Sequence, residues 1–208
     1  MRNQTLGEEI SNAVSHGVGL LGAFAAVPVL VVTAVLNKET PAVVSSSIFG
    51  ASLVLMYLAS TMYHSLPAGK AKRVFQILDH ATIYILIAGT YTPFTLVVLQ
   101  GAWGWTLFGI VWSLAIMGVV LKTTGYLKQG HWSTVLYVLM GWVVVIAIKP
   151  LVSQLSFWGI VLLALGGLCY SLGVYFFVKD NKRYYHFIWH LFVLAGSVCH
   201  FFAVLYYS

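Results

Sequence analysis

The sequence predicts an all-α integral membrane protein, a bundle of seven transmembrane helices, and three observations predict it. Of 208 residues, 60% are hydrophobic and only 8% are charged. A soluble domain carries about 25% charged residues, so this chain has too little charge to cover a water-facing surface. Its mean hydropathy is +0.91. The apolar stretches are also long and continuous rather than alternating, which selects helices over a β-barrel. In lipid the backbone groups are then satisfied within each helix. No composition shift or linker divides the chain, so residues 1–208 are expected to form one membrane domain.

The first span is expected at 18–36, ending before Asn37-Lys38-Glu39-Thr40. Pro41 opens the next helix, where its missing N–H is not needed, and the second span covers 43–65. A polar stretch from Pro67 to Arg73 separates it from the third span at 74–99, whose far end Pro93 is expected to kink. After a short turn at Gly101 to Gly104, the fourth span is expected at 105–121. The loop Lys122 to Gly130 leads to the fifth at 132–148, which Lys149-Pro150 stops. The sixth covers 155–178, and a tight charged turn from Lys179 to Arg183 leads to the seventh at 184–207. Each approaches the roughly 20 residues needed to cross a bilayer core.

Lysine and arginine placement predicts the orientation. Arg2, Lys70, Lys72, Arg73, Lys122, Lys128, Lys179, Lys182 and Arg183 share one side, against Lys38 and Lys149 on the other. By the positive-inside rule the N-terminus is cytoplasmic and the C-terminus outside. The net charge of +6 therefore reads as topology. No basic stripe is available for nucleic acid. The N-terminal segment carries Glu8 and Glu9 and lacks a basic leader with a cleavage site, so no secretory signal is expected. Cys169 and Cys199 lie at depths about 9 Å apart by helical rise, which argues against a disulfide. Without a Cys-x-x-Cys pair, no thiolate zinc site is expected.

Ionisable residues inside apolar runs cost a few kcal/mol and are functional candidates. Asp79 is the only acid embedded in a span, about one turn into the third. His16 enters the first span, His64 ends the second, and His186 and His190 open the seventh, all at the cytoplasmic level. His186 and His190 are four residues apart, so both rings leave one helix face. That spacing lets one helix give two ligands to one metal, and His64 supplies a third. Three histidines and a water form the open tetrahedral zinc site used in catalysis. Asp79 is placed to act on that water as base or orienter. Ser60, one turn before His64, is a candidate to bond the water or a developing oxyanion.

Each residue also has a structural reading. His64, His186 and His190 can make interhelical hydrogen bonds; Asp79 can bond His80 or a helix N-terminus; Ser60 can simply pack. His16 reads equally as a support to the ligands or a local cap. His80 points about 100° away from Asp79 on a helix and reads as structural. His131 reads as interfacial. His200, about 15 Å along the helix from His190, cannot share its metal and reads as structural.

Three stretches of sequence carry a resemblance. They are Glu9-x-x-Asn12-x-x-x-His16; Ser60-Thr-Met-Tyr-His64 followed by Leu78-Asp79-His80 and Ala88-Gly-Thr-Tyr-Thr-Pro93-Phe94; and His186-x-x-x-His190 followed by Gly196-Ser-Val-Cys-His200. Together they resemble the haemolysin III branch of the progestin and adiponectin receptor family, bacterial members above all, over nearly the whole chain. The resemblance implies a seven-helix bundle with a cytoplasmic N-terminus. It also implies one zinc ion held by three histidines near the cytoplasmic leaflet, which by motif are His64, His186 and His190, with Asp79 holding the water. Glu9, Asn12, His16 and His80 fall in the same motifs and are expected to support the ligands. Receptor members of the family resemble alkaline ceramidases, and bacterial members are named for haemolysis. The long N-terminal domain of the animal receptors has no counterpart here, so a hormone receptor is not expected.

Two functions follow as expectations. One is a zinc-dependent hydrolase of a membrane-lipid amide or ester, located in the bacterial inner membrane, with that lipid as its partner. The other is a non-enzymatic protein that perturbs or senses the membrane and carries a structural zinc. Ion transport is weaker, because one buried acid is a thin basis for a proton relay. The sequence points to no protein partner.

Overall fold

The computed structural model describes residues 4–37, 40–126 and 131–207. Arg2, Lys38, Glu39, Lys128 and the side chain of His131 lie outside the described residues, so the readings made of them have no structural counterpart. Among the described residues there is no strand, and seven helical stretches are long and apolar enough to cross a membrane. These are α1 (Leu6–Asn37), α2 (Thr40–Ser65), α3 (Lys70–Pro93) continued by a π-helical turn (Phe94–Leu99), and α4 (Gly101–Thr123). The fifth is α5 (His131–Gly141), a 3₁₀ turn (Val143–Ala147) and α6 (Ile148–Gln154) in succession; α7 (Phe157–Val178) and α8 (Tyr185–Tyr207) complete the set.

Several boundaries differ from the sequence reading. α1 begins at Leu6, twelve residues before the expected start of the apolar run. Its first turns are polar, and a capping box holds them. The Thr5 N–H and hydroxyl both donate to Glu8 Oε2, at 2.9 and 2.8 Å. The sequence Thr5-x-x-Glu8 is the signature of this device. Glu8 Oε1 also accepts the Tyr184 N–H at 2.8 Å, where the chain turns with φ 60° just before α8. One carboxylate thus starts two helices and pins α1 to α8. Replacing Glu8 by alanine is expected to lower stability by about 2 kcal/mol, read as a fall in the melting temperature of detergent-solubilised protein.

α3 begins at Lys70, inside the expected polar loop, so Asp79 lies more than two turns into the span rather than one. α4 begins at Gly101 and extends through Lys122, which is buried within the helix rather than placed in a loop. The expected stop at Lys149-Pro150 is also overturned, because the fifth span continues to Gln154. Its break comes earlier, after Gly141, and Tyr91 of the third span bridges it. The Tyr91 hydroxyl donates to the Gly141 carbonyl (2.6 Å) and accepts the Val144 N–H (2.9 Å). This is how broken helices survive at membrane depth. Pro150 falls in the first turn of α6, where no N–H is needed. Pro93 closes α3, and the Gln100 N–H then bonds the Thr95 carbonyl five residues back.

α2 packs between α1 and α3, α8 packs on α1 and α7, and α4 lies against α3. Phe49, Leu53 and Met56 of α2 meet Leu30, Leu86, Phe94, Val193 and Val204 in the main core. Leu21, Phe24 and Val32 of α1 and Leu165, Leu168 and Leu172 of α7 are exposed. In water these would be sticky patches; in a bilayer they are the lipid-facing surface. Cys169 and Cys199 are free thiols.

Candidate metal centre

The end of α2 and the start of α8 lie at the same end of the bundle, and each packs on α1. His64 comes from the first, His186 and His190 from the second. All three are buried, and one nitrogen from each lies within 4.8 Å of those of the other two. Ring centroids are 5.1 Å apart for His64 with either partner and 4.8 Å for His186 with His190. Among the described residues this is the group of histidine, cysteine and acid side chains able to hold a metal ion.

The surroundings fix which nitrogens face inward. Glu9 Oε2 lies 2.7 Å from His64 Nδ1. A carboxylate only accepts, so Nδ1 carries the proton and Nε2 keeps its lone pair. The same logic holds at His190, whose Nδ1 lies 3.2 Å from the Asn12 carbonyl and 3.1 Å from Ser15 Oγ. This carboxylate- or carbonyl-oriented imidazole is the usual support of a metal ligand. Glu9 is itself held by Lys72, whose Nζ lies 3.0 Å from Oε1 and also caps the Tyr63 and Leu66 carbonyls at the end of α2.

The buried atoms left without partners test whether a metal fits. They include His64 Nε2, both nitrogens of His186 and Ser60 Oγ. Orphaned buried polar atoms are rare and call for an explanation. Imidazole lone pairs converging from two helices answer to a borderline-soft cation such as zinc. His64, His186 and His190 would be the residues to hold such an ion.

A family model described as Haemolysin-III related matches residues 4–201. The chain belongs to the haemolysin III family. It is 45% identical over 204 residues to "Hemolysin-3" of Bacillus cereus, covering 98% of this chain and 93% of that one. It is 46% identical over 203 residues to "Hemolysin-3 homolog" of Bacillus subtilis, covering 98% and 95%. A distant relation extends to the "Monocyte to macrophage differentiation factor" of Homo sapiens, 27% identical over 206 residues and covering 95% and 83%. No solved structure matches. Family membership and seven apolar helices make this a multi-pass membrane protein, in keeping with the plasma membrane of a bacterium.

Several of the other residues that carried the resemblance lie near this cluster. His16 stacks on His190, centroids 3.5 Å apart and planes 7° apart, and meets Tyr57 edge-on at 5.1 Å. Asn12 Nδ2 bonds Gln4 Oε1 at 2.6 Å, while its carbonyl serves His190. Asp79 is not part of the histidine group; it lines the adjoining cavity, within electrostatic range of His80, Lys122 and Tyr137. His80 Nδ1 bonds the Gln76 carbonyl at 2.6 Å, and Phe177 packs against both its ring and that of His186. Ser60 does not line the cavity. Its fully buried hydroxyl sits one turn from His64 without a partner.

Sequence reasoning missed Ser15, Lys72 and Glu8. The capping-box spacing was the readable signal for Glu8. Ser15 and Lys72 act through contacts made between helices, which no local pattern announces. Replacing Glu9 by glutamine leaves His64 free to rotate or change tautomer. It is expected to weaken metal affinity 10–100-fold, measured by competition with a chromogenic chelator.

Proposed function

We propose that the protein is a zinc-dependent hydrolase of a membrane-lipid amide or ester. One observation carries the reading: the histidine cluster adjoins a deep apolar cavity. The cavity holds about 450 Å³ and is lined by His186, His190 and Asp79 at one end and by Leu99, Leu151 and Leu155 towards the other. That volume and lining suit a mainly apolar ligand with a few convergent polar groups. When bound, zinc supplies a Lewis acid that polarises a carbonyl and lowers the pKa of a water. The protein's own groups do the rest. The apolar walls take the acyl chain and exclude bulk water. Asp79, buried on the cavity wall, accepts a proton at its carboxylate and returns it to the leaving group. Glu9 and the Asn12 carbonyl hold the His64 and His190 rings in the ligating tautomer. Ser60 Oγ, free of other bonds, supplies a hydroxyl beside His64.

The orientation inferred from charge places this chemistry at the cytoplasmic leaflet. Lys70, Lys72, Arg73, Lys179, Lys182 and Arg183 lie at the same end of the bundle as the histidines, and Lys149 lies towards the other. The test exposes zinc-loaded protein in nanodiscs to a broad lipid extract and follows products by mass spectrometry. Zinc-dependent products absent from a His190→Ala control are expected. A silent wild type would overturn the reading.

A second reading has its own support. A metal at this cluster would tie the end of α2 to the start of α8, adding to the Tyr57–Ser197 hydrogen bond deeper in the bundle, so zinc can serve as a staple in a non-enzymatic membrane-perturbing or membrane-sensing protein. On that reading red-cell lysis by expressed protein survives Asp79→Asn and is lost with the histidines only as the protein unfolds.

A further inference from the structure

Among the described residues, Lys122 is the one lysine or arginine that is buried, at 6% exposure in the last turn of α4. A lysine near a helix end ordinarily carries its charge out to the interface along its apolar stem. This one is turned inward. A cation drawn into a membrane bundle is costly and calls for a named partner.

The packing of α4 on the third span shows what Lys122 meets. A Cβ at Gly104 would run into the Thr95 carbonyl, Trp112 Nε1 donates to Thr92 Oγ1 at 3.1 Å, and a Cβ at Gly118 would lie 2.6 Å from the Tyr84 ring. These pairs advance along one helix as they retreat along the other, so the two run antiparallel. One turn beyond Gly118 and one turn back from Tyr84, the register brings Lys122 to the level of Asp79 and His80. The ammonium is within electrostatic range of both.

Both groups can accept. Asp79 is a carboxylate, 8% exposed on the cavity wall. His80 donates its Nδ1–H to the Gln76 carbonyl at 2.6 Å, so Nε2 keeps its lone pair, and that buried atom has no hydrogen bond. Other donors at this level are engaged elsewhere. The Tyr137 hydroxyl donates to the His80 carbonyl at 2.8 Å, and Lys72 is held by Glu9 and the carbonyls that end α2.

We infer that Lys122 is a positioning residue for Asp79, its ammonium being the counter-charge that keeps the carboxylate ionised on the cavity wall. The pairing stands on the packing of α3 and α4; its part in turnover rests on the hydrolase reading above. An isolated carboxylate in apolar surroundings takes up a proton rather than stay charged, and in that form it is no base. Asp79 serves the cavity, and Lys122 serves Asp79 from behind.

The test is a double-mutant cycle in nanodiscs with Lys122→Met, Asp79→Asn and the two combined, beside Lys122→Arg. The first readout is the thermal unfolding midpoint, which needs no substrate. Lys122→Met leaves a buried carboxylate unpaired and should lower the midpoint by roughly 5–10 °C. Adding Asp79→Asn should restore most of that loss, and Lys122→Arg should stay near the wild type. A loss that persists in full in the double variant would overturn the inference, because it would mean that Lys122 only packs or closes the end of α4. The second readout is zinc-dependent lipid turnover. Lys122→Met should lower it about 10²-fold with zinc content unchanged, and the double variant should fall no further than Asp79→Asn alone. Losses that multiply would overturn the inference. A wild type silent on lipids, with the stability coupling present, would overturn the hydrolase reading and leave the ion pair standing. If Lys122→Met does not fold, Lys122→Gln takes its place in the cycle.

Discussion

If the histidine cluster binds zinc as proposed, protein purified with His190→Ala should retain almost none of the zinc found with the wild type. His190 is the proposed ligand whose orientation is most fully set. Its Nδ1 is engaged by the Asn12 carbonyl and Ser15 Oγ, and its ring is stacked on His16. Removing it leaves two imidazoles, from α2 and α8, with no third donor among the described histidines, cysteines and acids at the same point. The loss in affinity should exceed the 10–100-fold typical of losing a supporting partner. Elemental analysis after gel filtration against a weak chelator reads it directly. The helical circular dichroism should persist, because the spans are held by apolar packing through residues such as Phe49 and Met56. A variant with undiminished zinc would place the metal elsewhere.

The second large effect concerns Asp79. Asp79→Asn keeps the shape and removes the carboxylate proposed to take the proton. Turnover of the lipid substrate should fall about 10²–10⁴-fold, while zinc content stays at the wild-type level, because Asp79 is not in the histidine group. The paired readout separates the two functional readings. A catalytic zinc predicts lost turnover with retained metal, and a structural zinc predicts no change in either.

The seven spans were legible because lipid imposes long apolar runs, and such runs survive any detail of packing. The ends were not, because hydropathy marks where a helix enters lipid rather than where it starts. Glu8, Glu9, Asn12 and His16 hid the first three turns of α1, although Thr5-x-x-Glu8 signalled a start there. The break after Gly141 was invisible because the group that repairs it, Tyr91, comes from another span. Lys122 looked like a loop cation and is buried inside α4, since a charge-based boundary ends a helix too early.

In the site, the spacing of His186 and His190 was readable from helix geometry, and matched depth added His64. The structure brings those three together. It places Asp79 on the neighbouring cavity wall, a separation that spacing along one helix does not reveal. The supporting contacts of Glu9 and Ser15 depend on how α1 lies across α2 and α8. His200 read as a structural residue, and its place beside the cavity depends on how α8 packs on α7.

X-ray absorption spectroscopy at the zinc edge of the purified wild type tests the central claim most directly. Three imidazole nitrogens at about 2.0 Å, with their outer-ring scattering, and one oxygen are expected. A sulfur shell near 2.3 Å, or a zinc ringed by oxygens alone, would contradict it.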